Sequence, residues 1–144
     1  PLIIGVSKAF EKSIKNFDSI YSKIKSLRDR LEKGLLEIEK TKINCITEDR
    51  LMNTTNVSFD YIDGDKLMSA LRTKIALSNG SACNSSSINP SHVLISMGLK
   101  PSLAFSSLRI SIGRNNKEDD IIEAIKILKG EVMKIREKNI FWKN

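Results

Sequence analysis

Residues 78–87 read Ser-Asn-Gly-Ser-Ala-Cys-Asn-Ser-Ser-Ser, and eight of the ten are Ser, Asn or Gly. Such residues favour turns and local side-chain to backbone hydrogen bonds over helix or sheet. An inert cysteine is usually among the most buried residues, so Cys83, set in this run, reads as a thiol offered to something, the alternative being a surface loop whose thiol has no role. As a thiolate it is a nucleophile, provided a neighbouring base or positive charge lowers its pKa from about 8.5. The second group with chemistry is Arg109, in the string Ser107-Leu108-Arg109-Ile110-Ser111-Ile112. Alternation there predicts a strand with Leu108, Ile110 and Ile112 on the core side and Arg109 on the other. A guanidinium fork facing a cleft binds a carboxylate through two hydrogen bonds, as an amino-acid ligand requires, and a surface arginine paired with a nearby acid is the alternative reading. The other thiol, Cys45, and the single histidine, His92, share no metal-ligand spacing with Cys83, so no metal site is expected. Cys45 reads as a packing residue and His92 as a helix-surface residue.

The elements that must position these groups follow from periodicity. Apolar residues at Ile3, Val6, Phe10, Ile14, Phe17, Tyr21, Ile24, Leu27, Leu31, Leu35 and Ile38 step by three and four, which predicts one long amphipathic helix. Its length leads us to expect a bend or break near Phe17-Asp18, and the same spacing leaves a coiled coil open as an alternative. A loop is expected over residues 45–53, then a strand over 56–62 and a short helix over 65–72. Ile75-Ala76-Leu77 reads as a short strand leading into the cysteine run. A helix follows over residues 90–97, with Pro90 at its first position and Gly98 as its stop. Asn116 is placed as the cap of a last helix whose first turn holds Glu118, Asp119 and Asp120 and whose buried face is Ile121, Ile125, Leu128, Val132 and Ile135. The fold class is α+β: a short, mostly antiparallel sheet covered by helices, with long first and last helices, in a single domain over residues 1–144.

With 40% hydrophobic and 28% charged residues, the chain has material for one core. No run approaches the ~18 apolar residues of a membrane span and no signal peptide opens the chain, so no membrane partner is expected. The net charge of +7 invites a nucleic-acid reading, but its distribution opposes it. Lysines alternate with acids, as in Lys117-Glu118-Asp119-Asp120 and Arg136-Glu137-Lys138, the pattern of a solvated helix face without aromatic stacking platforms. Nothing marks secretion, so a reducing, cytoplasmic compartment is expected, or an organelle if the source is eukaryotic.

The cysteine run belongs to a longer string: Ala76-Leu77-Ser78-Asn79-Gly80-Ser81-Ala82-Cys83-Asn84-Ser85, then Asn89-Pro90-Ser91-His92-Val93-Leu94, then Ser106-Ser107-Leu108-Arg109-Ile110-Ser111-Ile112-Gly113-Arg114. It resembles the C-terminal portion of the cysteine desulfurases, class V aminotransferase relatives that use pyridoxal phosphate. Their cluster-assembly group carries a mobile loop Ser-Ser-Gly-Ser-Ala-Cys-Thr-Ser, then Pro-Ser-Tyr/His-Val-Leu and Ser-Ser-Ile-Arg. Pro1–Gly5, Asn53–Phe59, Ile135-Arg136-Glu137 and Trp142 also resemble family positions, while Phe105 stands where that group commonly has histidine.

The resemblance implies the small C-terminal domain of a fold-type I pyridoxal phosphate enzyme. In that reading residues 1–20 form the interdomain part of the long helix, and the large cofactor-binding domain, with its lysine, lies outside the chain. It implies that Cys83 takes sulfur from L-cysteine as a persulfide, releasing alanine, and that Arg109 holds the substrate carboxylate. Ser78, Asn79, Gly80, Ser81, Ala82, Asn84 and Ser85 are implied to form the mobile loop. An iron–sulfur scaffold or other sulfur-acceptor protein is the implied partner, and the full-length family is homodimeric. Alone, the chain is expected to bind no cofactor and to be inactive, with an apolar stripe on its first turns that self-associates or frays. A cofactor-free sulfur carrier and a protein-interaction module built on the long helix are the alternatives.

Overall fold

The computed structural model describes residues 1–15, 17–47, 49–79 and 90–142. The long amphipathic segment is helical over α1 (Leu2–Lys15) and α2 (Phe17–Leu36), and residue 16, next to the bend or break expected near Phe17-Asp18, lies outside the described residues. Their apolar faces have opposite fates. Ile24, Leu27, Leu31 and Leu35 of α2 are buried, whereas α1 buries nothing and leaves Ile3 86% and Phe10 67% exposed.

Four strands follow in the spatial order β1-β2-β4-β3, every pair antiparallel: β1 (Thr41–Asn44), β2 (Thr54–Phe59), β3 (Ser78–Asn79) and β4 (Ser107–Ser111). The helices between and after them are α3 (Gly64–Leu71), α4 (His92–Ser96), α5 (Pro101–Phe105) and α6 (Glu118–Glu137). One sheet face carries Ile43, Val57, Phe59, Leu108 and Ile110 into a core shared with α2, α3 and α6, where Leu31, Leu67, Leu128 and Val132 are fully buried. This is the α+β class expected, a short antiparallel sheet covered by helices. No described helix is long and apolar enough to cross a membrane.

Several boundaries differ from expectation for physical reasons. Ile75–Leu77 is not a strand; the pairing falls directly after it, at Ser78 and Asn79, because β4 supplies partners there. Those two residues are therefore strand rather than mobile loop. The strand expected over 56–62 runs from Thr54 to Phe59 and stops where Tyr61 takes a positive φ of 59°, a conformation no strand accommodates. The helix expected from Pro90 starts at His92 behind Ser91, so Pro90 precedes the cap; Gly98 ends it with φ 86°. The residue at the cap position of α6 is Lys117, not Asn116. Asp120 accepts from the Lys117 backbone N–H at 2.9 Å and from Asn116 Nδ2 at 3.3 Å, and these bonds hold its carboxyl below the usual carboxylate range. Strand β1 and helix α5 were not expected at all.

Arg136 overturns the reading of Arg136-Glu137-Lys138 as a wholly solvated face, because its side chain is completely buried. Its guanidinium donates to the carbonyl oxygens of Glu39 at 2.6 Å, Lys40 at 3.3 Å and Asp60 at 2.9 and 3.1 Å. The Trp142 ring lies over it at 4.4 Å, within cation–π range. Lys40 and Tyr61, with φ of 52° and 59°, bend the chain at the entrance to β1 and the exit from β2. Arg136 collects the carbonyls that flank these bends, of which that of Lys40 also accepts from the Asp60 backbone N–H at 3.0 Å.

Asp63 caps α3 by accepting from the backbone N–H groups of Asp65 and Lys66, each at 3.1 Å. The first residue inside that cap is Gly64, and a Cβ there would collide with the Phe105 carbonyl oxygen at the end of α5. A backbone atom cannot swing aside as a side-chain tip can. Gly64→Ala is therefore expected to destabilise the domain by about 1–3 kcal/mol. A denaturation midpoint equal to that of the parent would show that the α3–α5 approach is looser than described.

Candidate functional site

The sheet's second face is polar, and its composition follows from strand alternation. Cross-strand register aligns Asn44, Asn56, Arg109 and Ser78 in one row across all four strands, and directly opposed residues in antiparallel strands share a face. The neighbouring rows add Lys42, Ser58 and Ser107 on one side and Thr54 and Ser111 on the other. Two cations and no acid occupy this face. Arg109 is exposed, and no side-chain hydrogen bond or ion pair ties it to any described residue. Among the described residues its guanidinium therefore has no counter-ion, and an anionic ligand would supply one.

Helix α5 covers one end of the face. Ser58 and Ser107 are buried there, Ser107 Oγ donates to the Leu103 carbonyl at 2.7 Å, and the two serine oxygens lie 2.7 Å apart. Asn44, also buried, donates from Nδ2 to Ser58 Oγ and to Asn56 Oδ1, both at 2.6 Å. Ser78 Oγ, on the far side of Arg109, is buried without a hydrogen-bond partner, as is Asn44 Oδ1. A buried polar atom left unpaired is uncommon.

Of the sequence-derived site residues, the structure places Arg109 where alternation put it and sets Ser78 opposite it. Cys83, Gly80, Ser81, Ala82, Asn84 and Ser85 lie outside the described residues. His92 is exposed at the start of α4. Cys45 is half-buried, with Sγ 3.7 Å from Met97 Sδ, and among the described residues no group of three His, Cys, Asp or Glu could hold a metal. Sequence reading missed Asn44 and Asn56. Asn56 and Ser58 share an alternation phase that marks them as facing away from the core, but nothing local shows that Asn56 pairs with Arg109.

A pyridoxal phosphate site needs a lysine amine shielded from water beside the ring. The lysines lining the described clefts, Lys25, Lys66, Lys74, Lys134 and Lys138, are all exposed. Lys74 and Lys134 are also bound to Glu131, at 2.8 and 2.9 Å. The described residues do not fit that group.

Residues 1–123 match the model of the aminotransferase class-V family. The chain is 43% identical over 140 residues to cysteine desulfurase IscS of Haemophilus influenzae and 41% identical to that of Methylobacillus flagellatus. In each case the match covers 97% of this chain and 34% of the relative, so the chain spans about a third of the length of these proteins. Among solved structures, a NifS-like protein from Rickettsia africae superposes with a TM-score of 0.70 at 30% identity, covering 81% of this chain and 30% of that one. A second NifS-like protein gives 0.77 at 26% identity, covering 91% and 33%. The α+β architecture, the match over residues 1–123 and these relatives together mean that the chain belongs to the aminotransferase class-V family and is akin to its cysteine desulfurases.

Proposed function

We propose that this chain is the part of a cysteine desulfurase that grips the carboxylate of L-cysteine through Arg109 and receives its sulfur on Cys83. The observation that carries the proposal is the exposed guanidinium of Arg109 on a sheet face without acidic side chains. A bidentate carboxylate completes such a fork. Cys83 follows Ser78 by five residues, a tether that reaches at most about 18 Å, and Ser78 is the register partner of Arg109. A tether of that length permits the thiol to reach a ligand held at Arg109.

In the reaction, the Cys83 thiolate attacks the sulfur of bound cysteine. An S–S bond forms as the C–S bond breaks, the thiol proton ends on carbon, and alanine leaves. Cys83 retains the sulfur as a persulfide for a scaffold or other acceptor protein. Pyridoxal phosphate, which the family implies for the full-length enzyme, would be held by residues other than those described and would supply the electron sink for C–S cleavage. The large domain that carries it is also the expected cover for the exposed stripe of α1, with a homodimer as the family's assembly.

Arg109→Ala in the assembled enzyme tests the reading. Hydrogen bonds to a charged group contribute about 1.5–3 kcal/mol, so KM for L-cysteine should rise roughly 10- to 150-fold, with a smaller change in kcat. An unchanged KM in a folded variant would remove Arg109 from the substrate site and this reading with it.

A further inference from the structure

We infer that Asn56 and Ser78 are carboxylate-binding residues flanking Arg109, and that Asn44 is the positioning residue that turns the Asn56 amide toward the ligand. The inference rests on the reading of Arg109 as a carboxylate anchor and extends it to the two strands on either side.

The direction of the hydrogen-bond chain fixes the amide. The Leu103 carbonyl can only accept, so Ser107 must spend its one hydroxyl proton on it. Ser58, 2.7 Å from Ser107, must then donate to Ser107, because otherwise two lone pairs would face each other. With its proton committed, Ser58 can only accept from Asn44, which places Asn44 Nδ2 toward Ser58. The same Nδ2 donates its other proton to Asn56, which must therefore present Oδ1 to Asn44. Asn56 Nδ2 is the group left over. Its two N–H donors have no partner among the described residues, and Asn56 stands directly opposite Arg109.

On the other side of Arg109, Ser78 Oγ is buried and unpaired. A carboxylate seated on the guanidinium would answer both observations at once, accepting from Asn56 Nδ2 and from the Ser78 hydroxyl. Directly opposed side chains in antiparallel strands have Cβ atoms about 4.5–5.5 Å apart, a spacing that one carboxylate can bridge. All three donors sit on strands rather than on connecting segments, so ligand binding requires little reordering of them.

The test is 1H–15N NMR titration of the 144-residue chain with L-alanine, which has the carboxylate but no thiol, and with ethylamine, which lacks the carboxylate. Alanine should shift the Arg109 side-chain N–H and the Asn56 Nδ2 resonances saturably, and ethylamine should not. Asn56→Ala should weaken alanine binding about tenfold, and Ser78→Ala by a few-fold. The isosteric Asn56→Leu serves as a second variant should Asn56→Ala misfold. If Arg109→Ala abolishes binding while the Asn56 and Ser78 variants bind as the parent does, the inference fails and the Arg109 reading stands. If Arg109→Ala binds like the parent, or the parent shows no saturable shift, both fail.

Discussion

Replacing Arg136 by alanine is expected to cost about 3–5 kcal/mol of folding stability, since hydrogen bonds to a charged group contribute about 1.5–3 kcal/mol and a buried acceptor left unpaired costs about 1–3 kcal/mol. Small domains are held by about 5–15 kcal/mol in total, so the variant should be close to unfolding at room temperature. Burial pushes the Arg136 guanidinium pKa down, opposed by the charges of Glu39 and Asp60, yet an arginine remains protonated at any ordinary pH. The loss is therefore one of hydrogen bonds and packing: the carbonyls of Glu39 and Asp60 lose their guanidinium donors, Lys40 keeps only the bond from the Asp60 backbone N–H, and Trp142 loses its cation. Arg136→Lys should recover only part of it, because an ammonium cannot span three carbonyls with a planar fork. Urea denaturation followed by circular dichroism decides the matter. A midpoint within error of the parent for Arg136→Ala would mean that the bends at Lys40 and Tyr61 hold themselves.

Cys83→Ser is expected to reduce alanine formation by the assembled enzyme at least about a hundredfold, since a hydroxyl is a poor nucleophile at neutral pH where a thiol is already partly ionised. KM for L-cysteine should change little, in contrast to Arg109→Ala. Mass spectrometry of the parent after exposure to cysteine should find one extra sulfur on the peptide containing Cys83 and none on that containing Cys45. Sulfur on Cys45, or full alanine release by Cys83→Ser, would transfer the role elsewhere. The 144-residue chain mixed alone with pyridoxal phosphate and cysteine should release no alanine. Release that vanished in Cys83→Ser would mean that a complete cofactor site is built from these residues.

The parts of the fold legible in the sequence are those whose pattern repeats often enough to be read locally. Eleven apolar positions from Ile3 to Ile38 announced α1 and α2, and three alternations were enough to orient Arg109 on β4. Strand β1, four residues long, and helix α5, five residues long, are shorter than the span over which a period can be recognised. The misplaced β3 shows the other limit: Ile75–Leu77 has the strand-like composition, but hydrogen-bond partners on β4 are available to Ser78 and Asn79. Arg136 fails for a similar reason, because a sequence shows the charge and not the carbonyls gathered around it. At the candidate site the anchor was readable and its neighbours were not. Asn56 and Ser78 reach Arg109 from 53 and 31 residues away, positions 56 and 78 against 109, through pairings that only the folded chain specifies.

The outermost strands bear on how the domain avoids sticking to copies of itself. An unpaired strand edge is a template for another chain to join, and proteins blunt it with short strands and lysines. Among the described residues one edge is β3, described over Ser78–Asn79, and the other is β1, four residues long with the exposed Lys42 in it. Within the described residues neither offers the six or seven residues that a cross-β stack needs. Any aggregation of this domain should therefore proceed through side-chain burial on α1 and leave its β content unchanged, and mild detergent rather than denaturant should suffice to reverse it.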